Sequence, residues 1–580
     1  MRARDHPDEC SSRSKYGSTA GLTSGLCLRS ILRGFHLTKT TRLVYYTVKL
    51  RLPPSGCILP YMTRVRFAPA PTGYLHIGGV RTYIFNWLFA RQTGGKIVLR
   101  IDDTDTERST KEAIKSLISE LLWLELPWDE EYYQSQVPEV HKKAAEKLLA
   151  SGHAYRDFTP KVAPESGGAQ TGDKQIEGSL TQDTPAEDTQ TGDMPAGDTP
   201  SHNTQSSSKQ AGPWLSNAGM RELSKEESDR RAATEPFVVR FRVPRESGRV
   251  VAFKDLVYGD QSRKIEDMED FALLRSDGSA TCHLASCVDD VELEISHVIR
   301  GQDHLTNTFK HILMFEALDF QMPTFGHLPL LMGPDGSKLS KGTHGPVVSL
   351  TSYRDRGMLA RGLMNYLCLL GWSPKDDREV FTPEELEKVF SIEGIPRTNA
   401  VVSFDEADDA NWADPKALWI NGQHLRSIDL EDLVHYVEKE FLHEEIWKPE
   451  YVGEGRDWLI ETIDLLRPRF TTIRDFVEKG RAYFSDEFEI EPKALKNLDK
   501  EGARGLLHEL APRLAALAEF NEENVEKEIS ALAEERGVKA GLITNGARAA
   551  LTGQSVGPSA LAVFVALGQE RVVARLRFRC

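Results

Sequence analysis

The chain has few cysteines, no long apolar run and no overall excess of positive charge. Its seven cysteines, at positions 10, 27, 57, 282, 287, 368 and 580 of 580 residues, form no paired framework. A disulfide-stapled secreted fold is therefore excluded, and a reducing cytosol is the expected setting. No stretch approaches the roughly eighteen consecutive apolar residues of a membrane-spanning helix, so no membrane partner is expected. A net charge of −15 argues against a protein that holds nucleic acid through bulk electrostatics. It leaves a local basic track open, because phosphates respond to charge within about 10 Å. What is present, 40% hydrophobic and 27% charged residues, is a soluble globular composition. At this length about two to four domains are expected.

The charge is unevenly spread. Residues 1–61 hold ten Lys/Arg against three Asp/Glu, without clear periodicity. They read either as an organelle transit peptide, which would place the protein in a mitochondrion or plastid, or as a start assigned too early, with initiation at Met62. Asp5, Asp8 and Glu9 count against the transit reading. Residues 161–215 hold three Lys/Arg against eight Asp/Glu and repeat Gln-Thr-Gly-Asp at 170–173 and 190–193. With almost no large apolar residues they cannot offset their own ordering entropy, which predicts a disordered insertion without a direct catalytic role.

Between these segments the pattern is strand, loop, helix, strand. Val65–Ala68 is a short strand and 69–73 a Pro/Gly loop. Val80–Gln92 has apolar residues at helical spacing and is closed by Gly94-Gly95, and Lys96–Ile101 is the next strand. This predicts a βαβ unit in a parallel sheet, a Rossmann-like α/β domain over 62–350 with ligands at the strand carboxyl ends. A helical run is expected near 220–233, and an alternating strand over 237–243. Beyond about residue 350 the runs 357–370, 383–390, 458–466, 503–520 and 523–536 read as amphipathic helices, so 351–580 is expected to be an all-α region.

Two stretches carry chemistry. Pro69-Ala70-Pro71-Thr72-Gly73-Tyr74-Leu75-His76-Ile77-Gly78-Gly79 opens a helix after a strand, where free N–H groups make an anion site. Gly78 and Gly79 admit a ligand close to the backbone, and His76 can donate to a phosphate oxygen. Gly336-Ser337-Lys338-Leu339-Ser340-Lys341-Gly342 is a flexible loop with two ammonium groups three residues apart, suited to neutralising a departing pyrophosphate. Cys282, His283 and Cys287 invite a metal reading. If 282 and 283 lie on a strand they face opposite sides, so they are expected to be core or pocket-lining residues.

Together the two stretches resemble the signatures of class I aminoacyl-tRNA synthetases. With Arg66-Phe67-Ala68 before the loop, Arg100-Ile101-Asp102-Asp103-Thr104-Asp105, His297-Val298-Ile299-Arg300-Gly301 and Asn365–Ser373, the chain resembles the bacterial or organellar glutamyl-tRNA synthetases over residues 62–160 and 216–580. The resemblance implies ATP, with Mg2+, and glutamate as substrates, tRNA(Glu) as partner, and a helical region that reads the anticodon. A monomer is the accompanying expectation. It implies that Pro69, Thr72, Gly73, His76, Gly78, Gly79, Lys338, Ser340 and Lys341 hold ATP, with His76, Lys338 and Lys341 catalytic. Arg66, Ala70, Asp102, Cys282, Ser286 and Arg300 would form the amino-acid pocket, Arg66 and Arg300 meeting the substrate's carboxylates. Asp102, Asp103 and Asp105 would lie near the substrate amino group and the tRNA end. The family usually has Ser, Glu, Tyr and Asn at 70, 102, 282 and 286, so a paralog of shifted specificity and a non-catalytic tRNA-binding protein stand as rivals. Many relatives carry a zinc knuckle after the pair matching Tyr155-Arg156. No cysteine lies between 57 and 282, and no zinc is expected.

Overall fold

Residues 62–105, 108–159, 218–246, 248–404 and 412–578 are described in a computed structural model. The readings of 1–61 as a leader or false start, and of 161–215 as a disordered insertion, lie outside the described residues. The βαβ unit is present: β1 (Arg64–Phe67), α1 (Ile77–Gln92) and β2 (Lys96–Ile101). The helix starts three residues before the expected Val80, because His76 caps it and draws both glycines into its first turn. Helix α1 is apolar on nearly every side and is accordingly buried all round. Gly95 is required at the turn into β2, since a Cβ there would stand 2.2 Å from the Thr63 carbonyl oxygen.

Next come α2 (Lys111–Trp123), β3 (Glu130–Tyr133) and α3 (Pro138–Ala150). Strand β1 pairs parallel with β2, and β2 with β3, in the register Arg66–Val98–Glu130. An inserted layer follows, with β4 (Ala154–Asp157), α4 (Ala218–Arg221), α5 (Lys225–Ala232), β5 (Val238–Phe241), β6 (Val250–Asp255), β7 (Gly259–Lys264) and β8 (Phe271–Leu274). Strands β4, β5 and β8 form an antiparallel sheet, and β6 and β7 a hairpin. The single helix expected near 220–233 is instead two, because Ser224 begins a new one by accepting the Glu227 N–H at 3.2 Å.

The parallel sheet resumes through α6 (Cys282–Glu292), β9 (His297–Gly301), α7 (Leu305–Leu318) and β10 (Thr324–Leu328). Strands β9 and β10 are parallel, with Arg300 opposite His327. The Ser296 N–H donates to the Arg64 carbonyl at 2.9 Å and its hydroxyl accepts the Arg64 N–H at 2.8 Å, so β9 runs beside β1. The spatial order is β3-β2-β1-β9-β10. Direction of progression reverses between β1 and β9, which is where parallel α/β sheets bind ligands.

Then come β11 (Leu331–Met332), α8 (Lys341–His344), α9 (Leu350–Asp355), α10 (Ala360–Leu369), α11 (Pro383–Val389), β12 (Ala400–Val401) and α12 (Pro415–Ser427). The run expected as one helix over 357–370 starts only at Ala360, since Gly357 sits at φ 80° in the turn leaving α9. The short parallel pair β11–β12 is an exception to the helical texture of this region. The core around the sheet takes in residues from Val65 to Ile420, including Trp372, Phe381 and Phe390 against α1. A second core gathers Val98, Val298 and Phe325 of the sheet with α6 and α7, and a third, from Leu425 to Leu576 with Leu359 joining it, is built from helices, from Leu430–His443 through Gln569–Phe578. Packing therefore changes partner near residue 420, later than the change of sequence texture at 350.

Candidate active site

A cleft of about 1940 Å³ opens at the carboxyl ends of β1, β2 and β9. On one side stands the amino end of α1. His76 Nδ1 accepts the Gly78 N–H at 2.9 Å, so the neutral ring carries its proton on Nε2. A Cβ on Gly78 would approach that ring to 3.2 Å, which ties the glycine to the cap. The loop before the helix is braced from elsewhere: the Leu75 N–H donates to Glu120 at 2.7 Å, and Tyr74 donates to the Gly345 carbonyl at 3.0 Å.

The lysine loop faces this helix end. Its base is tied by two backbone hydrogen bonds: Gly333 donates to the Ser337 carbonyl at 2.8 Å and Leu339 to the Leu331 carbonyl at 2.9 Å. Lys338 Nζ donates to Asp303 Oδ2 at 2.7 Å, both groups remaining partly exposed. Ser340 caps α8 by accepting the Thr343 N–H, and the backbone of Lys341 opens that helix. His344 is buried against Phe404 and lies 3.3 Å from Asp335.

Cations line the remaining wall. Arg66 Nε donates to Asp290 Oδ1 at 3.0 Å, and Arg100 Nη1 donates to the same oxygen at 2.8 Å. Arg100 also forks onto Asp102, at 2.7 and 3.2 Å, and reaches Ser286 Oγ at 3.3 Å. Burial would lower the Arg100 pKa, but Asp102 and Asp290 hold it above the ordinary value. Burial pushes the Asp102 carboxyl up to about 6 despite the Arg100 contact. Arg300 is lowered to about 10 by burial and by the charge of Arg66. Burial and neighbouring cations hold His283 down to about 3, and burial takes His304 down to about 4 despite the adjoining Asp303, so both rings are neutral near pH 7.

Among the expected site residues, Arg66, Pro69, Ala70, Gly73, His76, Gly78, Gly79, Asp102, Cys282, Ser286, Arg300, Lys338 and Ser340 line this one cleft. Thr72 does not; it is exposed in a turn closed by its N–H to the Ala70 carbonyl. The acidic cluster divides. Asp102 and Asp105 line the cleft, while Asp103 is buried and takes the Ser135 N–H and hydroxyl at 2.8 and 2.7 Å. Cys282 and His283 open α6 after Thr281, on a helix rather than a strand, and both line the cleft, as expected of pocket-lining residues. Sequence reasoning missed Arg100, Asp290, His311 and the Asp255–His327 pair. The available signal was acids on otherwise apolar elements, such as Asp289-Asp290 after Leu284, Ala285 and Val288 on α6. The Asp157 carboxylate, directly after Tyr155-Arg156, takes Arg240 Nε at 2.6 Å.

A capped helix end and a lysine loop on a parallel sheet, followed by a helical region, form the scaffold that comparison with known proteins assigns to the class I tRNA synthetases. The family model of the class I tRNA synthetase (E and Q) catalytic domain matches residues 62–180 and 201–408, and that of an anticodon binding domain matches 432–579. The chain is 44% identical to the glutamate–tRNA ligase of Solibacter usitatus, over 89% of this chain and 98% of that one. It is 41% identical to the glutamate–tRNA ligase of Desulfotalea psychrophila, over 89% and 98%. A crystal structure of a glutamate tRNA ligase from Elizabethkingia meningosepticum, in complex with its amino acid, superposes with a TM-score of 0.69 at 26% identity, covering 89% of this chain and 98% of that one. The chain belongs to the glutamate–tRNA ligase family of class I tRNA synthetases.

Proposed function

We propose that this enzyme ligates glutamate to tRNA(Glu) in two steps within the cleft. A carboxylate oxygen of glutamate attacks the α-phosphorus of ATP, forming glutamyl-adenylate and releasing pyrophosphate. The terminal adenosine of the tRNA then attacks the activated carbonyl through its 2′-hydroxyl, and AMP leaves. The observation that carries this reading is the juxtaposition, in one cleft, of an anion-binding helix end, a lysine loop and two guanidinium groups. Positioning and charge complementarity supply the catalysis, with no covalent enzyme intermediate.

In this reading the α1 N–H groups and His76 Nε2–H hold the ATP phosphates, which arrive with Mg2+. Lys338 leaves Asp303 and, with Lys341, stabilises the departing pyrophosphate. Arg66 and Arg300 receive the carboxylates of glutamate, and Asp102 faces its amino group. The helical region around the third core receives the anticodon.

Incubating the full chain with ATP, tRNA and labelled glutamate, with aspartate and glutamine in parallel, tests the reading. Glutamate charging, abolished in a Lys341→Ala variant, is the expected result. Tight tRNA binding without charging would overturn it in favour of a non-catalytic binding protein. A second reading, altered amino-acid choice, is favoured by one observation: Asp102 and Ser286 are both engaged by Arg100. Preferential charging with aspartate or glutamine would establish it.

A further inference from the structure

Arg66 and Arg300, the guanidinium groups read as meeting the substrate's carboxylates, are held in opposite ways. Arg66 is bonded to a carboxylate, Asp290. Arg300 is bonded to none among the described residues. Its Nη2 donates to Thr308 Oγ1 at 2.7 Å and lies 3.3 Å from the His304 carbonyl and 3.5 Å from His311 Nδ1, while its Nε lies 3.3 Å from His327 Nε2. Every one of these partners is a neutral acceptor, so the charge on Arg300 stays available to an incoming anion.

A histidine can accept from a guanidinium only through an unprotonated nitrogen. At His327 that condition is met from behind. Its Nδ1 meets Asp255 Oδ2 at 2.6 Å, with both side chains fully buried. Asp255 is itself fixed by the Val257 and Tyr258 N–H groups, each at 2.9 Å. An ionised Asp255 accepts only, so the imidazole proton sits on Nδ1 and the Nε2 lone pair faces Arg300. Thr308 Oγ1, 3.0 Å from the same nitrogen, completes the cradle.

We propose that His327, with its tautomer set by Asp255, is a positioning residue that aims Arg300 at a carboxylate of the amino-acid substrate without neutralising it. An acid in place of this histidine would fix the guanidinium equally well, but would compete with the substrate for it. The neutral relay gives geometry without competition. This inference rests on the reading of Arg300 as a substrate contact.

The test uses the full chain in steady-state charging assays with glutamate, ATP and tRNA varied in turn. His327→Leu removes the acceptor and is expected to raise the glutamate KM about tenfold or more. Turnover at saturating glutamate should stay within about threefold, with the KM values for ATP and tRNA unchanged. His327→Gln, which returns an acceptor oxygen, should recover a substantial part of the loss. Thr308→Val provides a second probe should the leucine variant not fold, and should raise the glutamate KM by a smaller factor. In an Arg300→Ala background His327→Leu should add nothing further. A glutamate KM unmoved by Arg300→Ala would overturn the substrate-contact reading itself. A KM raised by Arg300→Ala but unmoved by His327→Leu or Thr308→Val would overturn the relay alone, as would equal losses for all three substrates.

Discussion

At the residue scale, the pocket is organised by shared carboxylates and by burial. Asp290 accepts from Arg66 and Arg100 together and is itself buried. Removing it leaves two guanidinium groups in the interior without their common partner. Asp290→Ala is therefore predicted to cost about 3–5 kcal/mol, read as a lower midpoint in urea unfolding. Asp102 sets a pH dependence. Its carboxyl, ordinarily near 3.8, is held up to about 6 in the folded protein. Between these values the folded state keeps a proton that the unfolded chain releases, so this group's contribution to stability falls as pH rises through the window. In the proposed function, the charge that faces the substrate amino group appears over the same range. We predict that kcat/KM for glutamate rises between about pH 5.5 and 7, and that Asp102→Asn flattens this rise. A profile unchanged by the substitution would assign the ionisation to another group.

At the element scale, the amino end of α1 and the lysine loop are built to different degrees of readiness. The helix end is preformed, because His76 caps it and Glu120 and the Gly345 carbonyl brace the loop before it. His76→Ala should lower stability by about 1 kcal/mol through the lost cap. It should also slow tRNA-dependent pyrophosphate exchange by more than that loss explains, since in the proposed function the same ring holds the phosphates. The lysine loop stands with Lys338 on Asp303. That pair is exposed enough for solvent to screen it, so releasing it costs about 1 kcal/mol or less. Lys338→Ala should consequently leave the thermal midpoint nearly unchanged while reducing kcat by roughly 100-fold. Parallel loss of stability and activity would refute that separation.

At the scale of the whole molecule, two cores meet around Asn421. Its side chain accepts the Leu359 N–H at 3.0 Å and donates to the Thr471 carbonyl at 2.6 Å, joining the segment before α10 to the helical part. Gly362 fits beside it because a Cβ there would lie 2.2 Å from the Asn421 oxygen. Asn421→Ala would leave a buried N–H and a carbonyl unpaired, a loss of about 1–3 kcal/mol. Denaturant unfolding should then separate into two transitions, one for the helical core and one for the rest of the described residues; a single sharp transition would show that they are coupled elsewhere. An acidic chain that binds tRNA must do so through local basic tracks. The tRNA KM is therefore predicted to rise steeply with salt, linearly on logarithmic axes, while the glutamate KM changes little. Equal salt responses would argue against a phosphate-dominated interface.

The βαβ unit, the helix-opening loop with His76, the lysine stretch and the helical texture of the last third are legible in the residues alone. These are local properties: hydrophobic period, glycine and proline punctuation, and residue types a few positions apart. Sequence reasoning misjudged what depends on capping and on partners distant in the chain. The glycines at 78 and 79 read as loop, whereas His76 caps the helix ahead of them and draws them into its first turn. Only the tertiary structure decided how the pocket is wired. Asp290 lies 224 residues from Arg66, and His327 lies 72 from Asp255. No periodicity links them; a strand order that reverses between β1 and β9 brings them together in one buried cluster.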